Sequence, residues 1–187
     1  MLPNHLVIFA KAPRFGTVKT RLAADIGKTA ALRFYRSNLF GLARRLGGDP
    51  RWMTWLAVTP DDAVRQGGWP DLPRIRQGRG DLGDRMQRVM DLMPAGPVCI
   101  IGSDIPGIRP IHIASAFDTL GANDAVLGPT PDGGYWLVGL KRRPRVPQIF
   151  QAVEWSSGRE FDQTRANITG PLALIETRND VDTGADL

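Results

Sequence analysis

The chain has 187 residues, a formal net charge of +5 and one cysteine. A chain of this length buries about 70% of its unfolded surface, and one cysteine permits neither a disulfide framework nor a cysteine zinc site within the chain. No apolar run approaches the roughly 20 residues that span a bilayer, and the apolar stretch near the N-terminus is too short for a signal peptide. We therefore expect one domain over residues 1–187, without a membrane span, in the cytoplasm.

Predicted strands and helices alternate in the first half of the chain. Leu6–Ala10 is a continuous apolar run, which is typical of a strand buried on both faces. Thr29–Leu46 has apolar side chains at gaps of three and four, which predicts an amphipathic helix ended by two glycines. Met53–Val58 is the second predicted strand, and residues 60–73 predict a short helix and a loop.

The same alternation continues in the second half, where Cys99 lies in an apolar run and is predicted to be a buried hydrophobic residue. Strands alternating with helices predict an α/β fold with a mostly parallel sheet and helices on both faces. The predicted helices begin at Gly80–Gly83 and cover Ile111–Leu120 and Arg159–Ile168, and the predicted strands are Val98–Ile101, Ala125–Leu127, Tyr135–Leu140 and the run Leu172–Ile175.

The basic residues are scattered, and their densest cluster is Lys141–Arg145, which we interpret as a solvated turn. No RNA-binding aromatic motif accompanies them. We therefore expect no nucleic-acid partner, and a basic balance is also compatible with a small anionic molecule.

Three glycine-bearing segments, each following a predicted strand, carry most of the functional information. If the strands are parallel, the segments emerge at one edge of the sheet, where open α/β sheets bind ligands. The segments are Lys11–Leu22, Ile101–Pro106 and Leu127–Leu140.

The first segment has the character of an anion site. Gly16 lets the backbone approach a phosphate, and Lys19 and Arg21 add positive charge at a predicted helix start, where the helix dipole disfavours it. The GxxxxGK[ST] pattern is absent, so a P-loop ATPase is not supported. A solvated basic loop that caps a helix remains an open alternative.

The second segment places Asp104 directly after a buried strand, where a carboxylate can hold Mg²⁺ together with substrate phosphates. Alternatively, Asp104 hydrogen-bonds the backbone in a turn before Pro106. At the C-terminal end, Asp180 and Asp182 could join such a metal site, or Asp182 could cap a final turn.

The third segment contains a turn, Asp132-Gly133-Gly134, before a long apolar run. A simple hairpin explains this pattern without any function. Alternatively, Gly133 and Gly134 let a sugar or base lie against the backbone, with Tyr135 or Trp136 stacking on it.

Six segments together resemble a bacterial family of glycosyltransferase-A-like proteins, known as a domain of unknown function. They follow the family's order and span nearly the whole chain. The segments are KAPRFGTVKTRL, GDLGDRM, IGSDIPGI, LGPTPDGGYWLVGL, EWSS and DVDTGADL.

The resemblance implies a nucleotide-diphospho-sugar transferase fold, a Rossmann-like three-layer α/β/α arrangement with a mostly parallel mixed sheet. The first loop is also similar to that of small nucleotidyltransferases, which makes Lys11, Lys19 and Arg21 candidate phosphate ligands. Asp104 matches the metal-holding acid of the superfamily, although glycosyltransferases of this fold often carry a DxD pair and here one Asp stands beside Ser103.

We therefore expect a metal-dependent glycosyltransferase that uses a nucleotide-diphospho-sugar donor and Mg²⁺ or Mn²⁺. Asp104 and Asp182 are the candidate metal ligands, and Asp132 is the candidate base. The remaining substrate-binding candidates are Gly16, Ser103, Gly133, Gly134 and Tyr135. Two alternatives stay open: nucleotidyl transfer from a nucleoside triphosphate to a phosphorylated acceptor, and a non-catalytic nucleotide-binding module.

Overall fold

A computed structural model describes residues 2–142 and 146–187. Within them the chain forms one seven-stranded sheet with helices on both faces. The strands are β1 (Asn4–Lys11), β2 (Trp52–Thr59), β3 (Arg74–Arg76), β4 (Val98–Gly102), β5 (Ala125–Pro129), β6 (Tyr135–Leu140) and β7 (Leu172–Leu174). The helices are α1 (Thr20–Ile26), α2 (Lys28–Leu46), α3 (Leu82–Leu92), α4 (Pro110–Ala122) and α5 (Glu160–Ala166).

The strand order is β3-β2-β1-β4-β6-β5-β7. β6 is antiparallel to both of its neighbours, and the other strands of the described sheet all run in one direction. The predicted mostly parallel mixed sheet is therefore confirmed. Because β1, β4 and β5 share a direction, the three glycine-bearing segments leave the sheet at the same edge.

Two apolar clusters fill the space between the sheet and the helices. Leu6 and Ile8 of β1 belong to the cluster that α2 and α4 cover, whereas Val7 points to the other face and packs with α3. This alternation follows from the period of two along a strand and produces the three-layer α/β/α arrangement. Cys99 is fully buried, as predicted, and burial raises the pKa of its thiol.

Two elements differ from what the sequence indicated. The region after the first loop contains two helices, because Gly27, with a φ of 86°, separates α1 from α2. β3 was not predicted as a strand, because three residues with arginine at both ends carry no apolar signal. Pairing with β2 makes it a strand.

Residues 143–145, the centre of the predicted basic turn Lys141–Arg145, lie outside the described residues. Within the described ranges, no helix has both the length and the apolar character that a membrane crossing requires.

Candidate functional site

Lys19 stands at the junction between the first loop and α1. Its backbone is left-handed, with φ 47° and ψ 53°, and only 7% of its side chain is exposed. This conformation turns the lysine away from solvent and toward the end of β4. The first loop thereby brings its cation to the carboxylate that follows β4.

A network of ion pairs joins the first loop to Asp104, which follows β4, and to Asp182 near the C-terminus. The Lys19 Nζ lies 2.9 Å from Asp104 Oδ2 and 3.3 Å from Asp182 Oδ1. Arg21 donates to the second oxygen of Asp182 at 2.6 Å. These pairs join residues far apart in the chain, and they place Lys19, Arg21, Asp104 and Asp182 at one crevice.

The network shifts the proton affinities of its members. Burial works to lower the pKa of Lys19, but Asp104 and the neighbouring acids outweigh it and raise that pKa above its ordinary value. Burial opposes ionisation of Asp182 as well, yet hydrogen bonds and charge from Arg21 and Lys19 hold its pKa below the usual range. Both groups are therefore charged at neutral pH.

Asp180 has the opposite environment. Burial, and then the charge of Asp104, raises its pKa, with only Lys19 opposing and Asp132 and Asp182 adding to the rise. Its backbone is placed by the segment after β7, where the Val181 amide donates to the Asp104 carbonyl at 3.3 Å.

The sequence could not distinguish the roles of Asp180 and Asp182. In the structure both oxygens of Asp182 are occupied by Lys19 and Arg21, whereas Asp180 lines a cavity beside Asp104 and Asp132. The suggestion that Asp182 caps the final turn is wrong, because the cap residue is Thr183, whose amide and hydroxyl both donate to Asp186.

The turn between β5 and β6 holds Asp132 at the same edge. Asp132 Oδ1 accepts hydrogen bonds from the Thr130 hydroxyl and, at 3.1 Å, from the Gly134 amide. Gly133 has a φ of 86°, and a methyl group there would collide with the carbonyl of Gly158. The turn is thus a tight hairpin, as the simpler interpretation held, and it also presents a carboxylate to the crevice.

Two cavities adjoin at this edge. The first, about 520 Å³, is called the basic cavity and is lined by Lys11, Lys19, Arg21, Ser103 and Asp104, among others. The second, about 470 Å³, is called the acidic cavity, and Asp104 and Arg21 line it as well. Its further lining includes Asp132, Gly134, Tyr135, Glu160 and Asp180.

Several predicted residues have structural duties within this arrangement. Ser103 is buried, and its hydroxyl lies 3.3 Å from that of Tyr35. The Tyr135 hydroxyl contacts Thr164 at 3.4 Å, and burial raises its pKa. Gly16 has a φ of 72°, which fits a tight turn, but neither Gly16 nor Gly133 lines either cavity.

Tyr35 is a residue whose place in the site the sequence did not reveal. Its hydroxyl accepts from the Lys11 amide and donates to the Lys11 carbonyl, each at 2.8 Å. Burial raises the pKa of Tyr35 to about 12, so the hydroxyl keeps its proton. Helical periodicity predicted Tyr35 only as a core residue, and the contact becomes visible when α2 packs on β1.

Trp155 and Glu160 were also missed as site residues. They lie in and after the EWSS segment, which had drawn attention only as part of the family resemblance. Trp155 packs against α3 at Gly83, and its indole Nε1 is buried without a hydrogen-bond partner among the described residues. The Glu160 side chain accepts from the Ser157 amide at 2.8 Å.

The carboxylates suit a cation that is shared with a substrate. Among the described residues, no three His, Cys, Asp or Glu side chains form a metal-binding group. However, the Lys19 ammonium lies between Asp104 and Asp182, which shows that these acids already face a positive charge. Mg²⁺ commonly takes one or two carboxylates and completes its shell with phosphate oxygens and water, so the residues fit that mode of binding.

The class of structure to which this fold belongs is shown by comparison with solved structures. The chain is similar to a protein from Desulfovibrio desulfuricans G20 that is provisionally named a nucleotide-diphospho-sugar transferase. The two share 28% sequence identity and a TM-score of 0.89, over 98% of this chain and 84% of the other. The predicted nucleotide-diphospho-sugar transferase fold is confirmed.

The chain belongs to the family DUF2064, described as an uncharacterized protein conserved in bacteria, whose profile matches residues 42–157. This confirms the resemblance on which the sequence analysis relied. No functionally curated protein matches the chain.

More distant structures share the fold alone. One is the CMP:2-keto-3-deoxy-manno-octonic acid synthetase complexed with CTP, at 15% identity and a TM-score of 0.58 over 98% of this chain and 95% of that one. Another is Rv0371c of Mycobacterium tuberculosis H37Rv in complex with manganese, at 17% identity and a TM-score of 0.54 over 99% and 96%. The similar structures thus include both kinds of transferase that the sequence analysis considered.

Proposed function

We propose that this protein transfers a glycosyl group from a nucleotide-diphospho-sugar to an acceptor. The observation that carries the proposal is the contact of 2.9 Å between Lys19 and Asp104 where the basic and acidic cavities adjoin. A phosphate-binding cation and a metal-binding acid at one point are what a diphosphate leaving group requires. The transferase fold of the similar Desulfovibrio protein supports the same class of reaction.

The diphosphate binds in the basic cavity. Lys11 and Arg21 are exposed there, and Lys19 reaches the same space from α1. As the diphosphate enters, Lys19 exchanges its contact with Asp104 for a phosphate oxygen. The ammonium then stabilises the negative charge that develops on the leaving diphosphate as the glycosyl bond breaks.

Asp104 is the residue we assign to Mg²⁺ or Mn²⁺. Asp182 is the second carboxylate expected from the sequence, and Asp180, which lines the acidic cavity beside Asp104, is a further candidate ligand. The ion supplies Lewis-acid stabilisation of the diphosphate. Burial, and then the charge of Asp104, raises the pKa of Asp180, and a bound cation would offset the repulsion among these acids.

Asp132 remains the candidate base. It lines the acidic cavity with Asp104, and one of its oxygens is held by Thr130 and Gly134. This fixes the orientation of the carboxylate while its second oxygen is available to accept a proton from an acceptor hydroxyl.

Nucleotidyl transfer is the second candidate, and the likeness to the synthetase complexed with CTP favours it. Its distinguishing product is pyrophosphate from a nucleoside triphosphate, whereas glycosyl transfer releases a nucleotide that retains the donor's phosphates. The third candidate, a non-catalytic nucleotide-binding module, predicts binding that survives chelation and produces no turnover.

The test combines a binding screen with product analysis. The protein is incubated with UDP-, GDP- and CDP-sugars and with nucleoside triphosphates, with Mg²⁺, Mn²⁺ or a chelator, and the melting temperature and the products are measured. We expect one nucleotide-sugar to raise the melting temperature by mass action and to release its nucleoside diphosphate in the presence of metal. Pyrophosphate release from a triphosphate contradicts glycosyl transfer.

Matched variants locate the activity. Lys19→Ala and Asp104→Asn should each lower turnover by about ten-fold or more, equivalent to about 1.4 kcal/mol of transition-state stabilisation. Asp118→Asn is the control, because Asp118 is exposed on α4 and lines neither cavity. Equal activity of all three variants would contradict the assignment of the active site to Lys19 and Asp104.

A further inference from the structure

The acidic cavity differs in charge from the basic cavity beside it, and this difference bears on the acceptor. We propose that the acidic cavity binds a neutral, hydroxyl-bearing acceptor, such as a sugar or polyol, and excludes a phosphorylated one. The inference rests on the proposed glycosyl transfer and narrows its substrate class.

The two cavities share Asp104 and Arg21 but differ in their balance of charge, because three cationic side chains and two carboxylates line the basic cavity. Four carboxylates line the acidic cavity, and the one cationic side chain among its lining residues, Arg21, is paired with Asp182. The basic cavity holds both lysines of the first loop. The four carboxylates are those of Asp104, Asp132, Glu160 and Asp180.

A phosphomonoester carries about −1.5 to −2 charges at neutral pH and would face these carboxylates. Like charges repel more strongly inside a cavity than in bulk water, and two of the carboxylates, those of Asp132 and Glu160, lie outside the assigned metal site. A second phosphate group is therefore disfavoured in this cavity, whereas the basic cavity accepts the donor's diphosphate.

The remaining lining suits a ring with hydroxyl groups on its edge. Phe9, Tyr135 and Trp155 contribute half-buried aromatic surface, and Met86 adds an apolar side chain from α3. Such a wall packs against the C–H face of a sugar.

Most of the charged groups that line this cavity are carboxylates, which accept hydrogen bonds. Ionised carboxylates are acceptors only, so the ligand has to supply O–H donors. Glu160 is 9% exposed and uses one oxygen for the Ser157 amide. A buried carboxylate of this kind is satisfied by a hydroxyl group of the ligand and is left unsatisfied by an anion.

A binding experiment tests the inference without requiring turnover. Matched triples of ligands are titrated by ligand-observed NMR: glucose, glucose 6-phosphate and glucosamine, and glycerol, glycerol 3-phosphate and serinol. Sodium pyrophosphate is present throughout to occupy the basic cavity. We expect the neutral member to bind at least about ten-fold more tightly than the phosphate, a difference of about 1.4 kcal/mol.

Three variants and a control connect the selectivity to the cavity. Glu160→Gln combined with Asp180→Asn removes two negative charges and should reduce the preference for the neutral member about ten-fold, whereas Glu160→Asp keeps the charge and the preference. Trp155→Leu should weaken the neutral member of each triple. Asp118→Asn serves as the control and should change nothing.

Three results overturn the inference: equal or tighter binding of the phosphates, tighter binding of the amines than of the neutral members, or no binding of any member. None of them depends on the donor. Failure of the donor screen with selective binding of neutral ligands contradicts glycosyl transfer alone, and donor turnover with phosphate-preferring binding contradicts the acceptor class alone.

Discussion

Backbone strain, burial and charge coincide at Lys19. A left-handed backbone costs a residue other than glycine roughly 1–2 kcal/mol, and Lys19 adopts it with φ 47°. Such strain persists where the surroundings determine the conformation and is concentrated at functional sites. Here the ion pairs with Asp104 and Asp182 hold the side chain. The same contacts therefore stabilise the loop and position the Lys19 ammonium in the site.

Asp180 provides a stability prediction with a defined sign. Its pKa in the folded protein is above the ordinary value of 3.8 because of burial and neighbouring acids. The native state therefore binds this proton more tightly than the unfolded state, and the contribution to stability is present below pH 3.8 and lost as the pH rises through the folded pKa. We expect Asp180→Asn to be more stable than wild type at neutral pH.

The measurement is the melting temperature of both proteins over a pH series that runs from acid to neutral. The difference should grow as the pH rises, while turnover of the variant falls about ten-fold or more, or about 1.4 kcal/mol. Parallel curves would show that Asp180 is not under electrostatic strain. Asp118→Asn should follow wild type throughout.

At the scale of elements, α3 begins with a reciprocal cap. Asp81 accepts from the Asp84 amide at 2.8 Å, and Asp84 accepts from the Asp81 amide at 3.2 Å. The sequence placed Asp84 in the first turn but did not reveal the reciprocal bonds. Asp81→Ala should lower the free energy of unfolding by about 1 kcal/mol, measured by urea denaturation, and an unchanged midpoint would contradict the cap.

The β5–β6 turn is a second element with little tolerance for change. Gly133 needs its positive φ, and a side chain there collides with the Gly158 carbonyl. Gly133→Ala should lower stability by roughly 1–3 kcal/mol, because it adds strain at a positive φ.

Gly67→Ala is the matched control for this turn. Gly67 has no atom within 4 Å of the added methyl group. Thermal denaturation of both variants compares them directly. Equal melting temperatures would show that the contact between the turn and the 154–158 segment is unimportant.

At the scale of the whole molecule, the strand order places β1 and β4 side by side in the sheet. Their carboxyl ends are therefore adjacent, and the basic cavity lies over them. β6 and β5 follow on one side and carry the turn that contributes Asp132 to the acidic cavity. The two cavities thus arise from neighbouring parts of one sheet, which is why both touch Asp104.

Cys99 tests whether the molecule unfolds as one unit. Its thiol is fully buried on β4, and burial raises its pKa, so the reactive thiolate is absent from the native state. We expect Cys99 to react with a thiol reagent only in the urea range where tryptophan fluorescence reports unfolding. Reaction well before that transition would contradict the single domain predicted for residues 1–187.

Patterns along the chain were sufficient to predict the strands of the described sheet other than β3, and most helices. Leu6–Ala10 and Val98–Ile101 are apolar because both faces of their strands are buried, and the helix over Thr29–Leu46 repeats with its own period. These signals lie within a few neighbouring residues, so they can be recognised without a structure. The fold class followed from their alternation. Asp104 was singled out because it directly follows such a strand, and Lys19 because it adds positive charge at a predicted helix start.

Tertiary structure alone decided how those residues are paired. Lys19 meets Asp104 across 85 positions of sequence and Asp182 across 163, and no local pattern encodes contacts of that span. The tertiary structure also pairs Asp182 with Lys19 and Arg21 and leaves Asp180 to line the acidic cavity. It brings Trp155 and Glu160 to the same cavity, and pairing with β2 makes Arg74–Arg76 a strand. The physical reason is that burial and charge pairing depend on which elements become neighbours, and the strand order of the sheet decides that.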